Sequence, residues 1–133
     1  MINDMEKNFI FQFVVKNKQD RLLYELSGKK RMDGIGRFAH NAEEMLIKDK
    51  IILSGNNIYY NDIIKFTEKY NSNVKWYIIA FNREFDKKYC ELSEALDLIL
   101  GNGMPAIIVS GNTAIVETEQ CIGNPMRYIL QTK

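Results

Sequence analysis

Histidine, cysteine and proline are almost missing from this chain. Among 133 residues there is one histidine, His40, with two cysteines, Cys90 and Cys121, and two prolines. One imidazole and two distant thiols cannot fill a four-ligand zinc site, so no metal is expected. Two cysteines without C-x-x-C spacing do not form the disulfide framework of a small secreted scaffold. They are expected as unbonded, reduced thiols. No apolar run approaches the roughly 20 residues a membrane-crossing helix needs. The run "FIFQFVV" near the N-terminus is short, is broken by Gln12 and lacks a small-residue cleavage site, so it does not read as a signal peptide. The expected location is the cytoplasm, with no membrane association.

A charge excess of one sign is lacking too. Lys and Arg number 18 and Asp and Glu 17, a formal charge of +1. Such a balance provides no global field for nucleic acid, which is not an expected partner. The short basic run Lys29-Lys30-Arg31, echoed by Lys87-Lys88, and the aromatics Tyr59, Tyr60, Trp76 and Tyr77 are the features that would favour single-stranded RNA. Strand aromatics more often serve a core. Glycine motifs are weak as well. Gly34-Ile35-Gly36 and Gly101-Asn102-Gly103 lack the third glycine and the phosphate-binding helix of a dinucleotide site, and no cofactor is expected.

Globular composition is what remains. Hydrophobic residues make up 46% and charged residues 26%. A chain of this length buries roughly two-thirds of its unfolded surface, enough for one core and one domain spanning residues 1–133. Phe9, Phe11, Phe13 and Val15 alternate, which predicts a strand. Residues 20–27 read as a short helix between Asp20 and Gly28, with a hairpin strand as the alternative. Met32, Ile35, Ala39, Ala42 and Leu46 form a helical stripe with Ser27 as its cap. Gly34 and Gly36 each weaken that helix by about 1 kcal/mol relative to Ala and could divide it.

Two segments repeat one arrangement, apolar runs around Ser54-Gly55-Asn56 and around Ser110-Gly111-Asn112. Glycine beside asparagine suits a tight primed turn, so two β-hairpins are predicted. "NDIIKFTEKYN" reads as a helix capped by Asn61 and ended by Asn71, with Ile63, Phe66 and Tyr70 inward. "VKWYIIAF" is apolar on both faces and predicts a central strand. "NREFDKKYCE" is a loop or a short returning strand. "LSEALDLILGNGMP" is a helix capped by Ser93 and stopped at Gly101, and "MRYIL" is a final strand. The expected fold is α+β: a mostly antiparallel sheet of about five or six strands with three or four helices packed on one face.

The chemistry-bearing cluster is "RFAHNAEEML". Arg37, His40, Asn41 and Glu44 fall on one polar helix face. A small hydrolase- or nuclease-type enzyme would use His40 as acid or base, oriented by Glu44, with Arg37 holding an anion. A cysteine nucleophile would have to borrow the same histidine. A plain solvated face explains the same residues. Lys29, Asp33 and Arg37 step by four, as do His40, Glu44 and Lys48, in the order that favours helical ion pairs. No catalytic set is assigned. The favoured expectation is a small protein-binding domain, an immunity or antitoxin-like inhibitor that occupies a cognate toxin or enzyme. Its candidate partner-binding residues are Arg31, Arg37, His40, Asn41 and Glu44.

Overall fold

The computed structural model describes residues 3–70, 75–118 and 124–132. Among the described residues six α-helices and six strands follow one another. Helices α1 (Asp4–Phe13), α2 (Lys16–Leu26), α3 (Arg31–His40) and α4 (Ala42–Met45) come first. A 3-10 turn at Lys48–Lys50 leads into β1 (Ile51–Gly55) and then α5 (Tyr60–Tyr70). Next come β2 (Trp76–Ala80), β3 (Tyr89–Cys90) and α6 (Leu92–Ile99). Strands β4 (Ala106–Ser110), β5 (Thr113–Glu117) and β6 (Arg127–Gln131) complete the sheet. All pairings are antiparallel, in the order β1-β6-β5-β4-β2-β3.

The α+β class is therefore as the sequence implies, and the helices cover both faces of the sheet. Tyr77, Ile79, Ile107, Val109, Ala114, Val116, Tyr128 and Leu130 share a core with α1 to α4. Their strand neighbours Trp76, Ile78, Ala80, Ala106, Ile108, Ile115 and Ile129 share a second core with α5 and α6. Strands β2, β4 and β5 are buried at every position. Strands apolar on both sides require cover on both sides, which four helices on one face could not supply.

The predicted first strand is a helix. Phe9, Ile10 and Phe13 are fully buried, whereas Phe11 is 57% exposed. The buried set is spaced for a helix, and the same aromatic run carried both periods. The start signal decides between them: Asn3 accepts a hydrogen bond from the Glu6 backbone N–H at 3.0 Å, an N-cap. Residues 20–26 are helical, but the helix begins at Lys16, so Asp20 lies inside it rather than capping it. Ser27 ends that helix instead of starting the next. Ile35, Ala39, Ala42 and Leu46 of the stripe are buried and Met32 is half-buried, with the break at Asn41 (φ −114°, ψ 23°) and not at the glycines.

The two S-G-N segments part company. Ser110 pairs with Thr113 across a true hairpin, with Gly111 at φ 57°. After Gly55 the chain instead enters α5, and β1 pairs with β6. The second apolar run, Ile58-Tyr59-Tyr60, buries only Ile58, and Asp62 accepts the Tyr59 N–H at 2.8 Å to start a helix. Asn61 and Ser93 lie within their helices, one residue past the start in each. Asn71 and Cys121 lie outside the described residues.

Candidate protein-binding surface

The α1 helix brings an acid to the buried side. Glu6 is 1% exposed, on the same face as Phe9, Ile10 and Phe13. An unpaired buried carboxylate would be prohibitively costly. Glu6 is matched by Arg31, the first residue of α3, through two hydrogen bonds of 2.7 and 2.8 Å. The same guanidinium makes a second fork to Asp86, at 2.7 and 2.9 Å, and donates to the Leu26 carbonyl. Asp86 also accepts the Ala80 N–H, and the Tyr77 hydroxyl donates to Glu6 at 2.5 Å. Burial works against the Arg31 charge, yet the bonds to Asp86 and Glu6 outweigh it and hold its pKa above the ordinary value. Burial, then the bond to Glu6, pushes the Tyr77 hydroxyl up.

This network positions a cleft. It ties the start of α3 to the loop between β2 and β3, within which Lys87 sits at φ 66°. An open cleft of about 350 Å³ lies between them, lined by Gly28, Lys29, Arg31, Met32, Arg83, Asp86 and Lys87. Arg31 and Asp86 of the lining are committed to each other, which leaves Lys29, Arg83 and Lys87 to set the sign of the cleft. Lys29, Arg83 and Lys87 are exposed. The basic runs at Lys29 and Lys87, far apart in sequence, thus meet at one concavity. Phe81, 38% exposed, lies against Gly36 on α3 beside this loop.

The five candidate residues divide among four environments. Arg31 is 7% exposed and serves the internal network. Arg37 turns to Glu25 on α2, which also receives Arg21 at 3.6 Å. It does not use the Asp33 step of its own helix. His40 is exposed at the end of α3, and Asn41 donates its side-chain amide to the Arg37 carbonyl at 2.9 Å. Glu44 lies beyond the break, in a different cleft of about 660 Å³ shared with Glu43, Asp49 and Lys48. The break at Asn41 ends the regular i,i+4 relation on which a His40–Glu44–Lys48 ladder depended.

A second buried pair lies across the sheet. Glu117 and Arg127 are cross-strand partners joined at 2.7 Å, and Arg127 also donates to the Ile58 carbonyl at 2.6 Å. The Gly101 N–H donates to Glu117. Burial pushes the Glu117 pKa up against the opposing pull of Arg127 and Gly101. The pair fastens α5 and the end of α6 to β5 and β6. Cys90 is free and 4% exposed. Among the described residues there is no cluster of three metal-ligating side chains and no helix long and apolar enough to cross a membrane.

Sequence reasoning passed over Glu6, Glu25, Arg83 and Asp86, and weighed Tyr77 only as a stacking or core aromatic, whereas the ring is buried and its hydroxyl serves Glu6. Glu6 did leave a signal, an acid at helical spacing from three buried apolar residues. In comparison with known proteins, the chain matches no family model, no curated protein and no solved structure.

Proposed function

We propose that this chain is a small protein-binding domain whose basic cleft takes an acidic segment of a partner protein. The observation that carries the reading is the convergence of Lys29, Arg83 and Lys87 over the Arg31–Asp86 pair, in a molecule with a balanced net charge. A cleft with an excess of one sign of charge concentrates field and steers an oppositely charged partner. The support beneath is rigid: two bidentate forks fix the cleft floor. An immunity or antitoxin-like inhibitor, acting in the cytoplasm by occupying a cognate toxin or enzyme, is the finer form of this proposal.

The test is co-expression of the tagged chain with the protein encoded beside it, together with a pull-down from native lysate. Each is repeated with Lys29→Glu, Arg83→Glu and Lys87→Glu combined. Support is a retained acidic partner that the triple variant loses, with a fall in affinity of about tenfold or more. These exposed positions should leave stability within about 1 kcal/mol. Equal retention by both forms would remove the cleft from the proposal.

A further inference from the structure

We propose that two copies of this chain associate through β1, joining their sheets about a two-fold axis at Leu53. This uses a different surface from the basic cleft and goes beyond the partner-binding reading. Among the described residues the sheet has two edges, β1 and β3. Strand β3 is two residues long and is preceded by Lys87 and Lys88, a short and charged edge. Strand β1 has five residues, Ile51 to Gly55, with neither a charge nor a proline among them. Ile52 and Leu53 are 52% and 44% exposed. An open apolar edge of this kind is a template for strand pairing.

The register with β6 shifts between Ile51 and Leu53, so Ile52 is an inserted residue and adds a second apolar side chain to the edge. Leu53 stands opposite Ile129, whose side chain belongs to the core beneath α5 and α6. It borders a hollow with Asn57, Ile58 and Asp62.

Charge selects a second copy as the occupant. Lys48, Asp49 and Lys50 immediately precede β1 and carry one net positive charge, and Asp62 lies beyond its other end. Antiparallel self-pairing at Leu53 sets Ile51 against Gly55 of the second copy. It carries Lys48 and Lys50 toward Asp62 of that copy, twice over. The lysines that guard the edge of one chain become the complement of the other. A self-complementary patch closes as a dimer instead of propagating.

Sedimentation velocity over about a hundredfold range of concentration tests this, because dimer populations follow mass action. Wild type should pass from monomer to dimer. Leu53→Lys should be monomeric throughout, with the melting temperature of wild type at concentrations where wild type is also monomeric. Combined Lys48→Glu and Lys50→Glu should raise the dissociation constant by about tenfold. A monomeric wild type at every concentration overturns the proposal, as does a dimer that survives Leu53→Lys. Loss with Leu53→Lys but not with the paired lysine variant overturns the two-fold at Leu53.

Discussion

Arg31 and Asp86 stand 55 positions apart in the chain and 2.7 Å apart in the fold. Their contact joins the start of α3 to the loop after β2, and the other side of the same guanidinium holds Glu6 on α1. Three segments of the chain meet at one cation. The binding surface proposed above depends on that junction, although Arg31 itself is too enclosed to be a leading contact.

Replacing Arg31 by Met should therefore be far more damaging than its position near a basic cleft suggests. The change strands two carboxylates that are almost fully covered, and breaking a buried pair from one side costs about 3–5 kcal/mol. Urea unfolding measures it. A loss below about 1 kcal/mol, the scale of an exposed ion pair, would show that the network is far more hydrated than its burial indicates.

Tyr77→Phe removes one donor from Glu6 and leaves the ring in place. A hydrogen bond to a charged group contributes about 1.5–3 kcal/mol, which is the loss expected at neutral pH. The deficit should shrink in alkali. Burial and Glu6 raise the folded-state pKa of Tyr77, so its contribution is complete below the unfolded value of about 10 and is lost as pH rises through the folded one. Unfolding curves for both proteins at neutral pH and above about pH 10 read the two terms. A gap that widens in alkali would reverse the assigned direction.

Local chemistry made some of this fold readable and left the rest hidden. The β4–β5 hairpin could be read because Gly111 sits where a positive φ is needed and the apolar runs on both sides are long. The stripe from Met32 to Leu46 could be read because its apolar residues recur at helical spacing, and from Ile35 onward they are buried. The first helix was misread because Phe9, Ile10, Phe11 and Phe13 fit periods of two and 3.6 alike. The Gly55 turn was misread because its strand pairs with β6, more than 70 residues later, a choice no local signal encodes. The site shows the same divide. His40 and its neighbours attracted notice as a cluster in sequence, whereas Glu6, Arg31, Tyr77 and Asp86 become a cluster only in three dimensions.

Cys90 should resist alkylation in the native state well past the ordinary thiol range near pH 8.5. Burial is the main reason, and the nearby Glu94 charge adds to it, so the thiolate is disfavoured. In a Cys121→Ser background, intact mass after iodoacetamide at pH about 9 should show little native modification and complete modification in urea. Rapid native labelling would mean that β3 opens readily from β2. The raised pKa also makes stability fall as pH climbs above the unfolded value near 8.5, and Cys90→Ala should flatten that decline.

The two glycines of α3 should respond oppositely to alanine. Both substitutions gain about 1 kcal/mol of helix propensity, so the difference lies in what the new methyl group meets. At Gly36 it would lie 3.6 Å from the Phe81 ring, an ordinary contact, and the propensity gain should survive. At Gly34 it would lie 2.7 Å from the Glu25 Cβ, closer than two carbons approach. Glu25 cannot easily withdraw, because it is 5% exposed and holds Arg37 and Arg21. Helices α2 and α3 would have to separate, and overpacking of this kind costs about 1–3 kcal/mol, which equals or exceeds the gain. Gly34→Ala should thus lower the melting temperature, and Gly36→Ala should hold or raise it. Equal shifts in the same direction would mean that the close approach of α2 and α3 at Gly34 does not govern the stability of this helix pair.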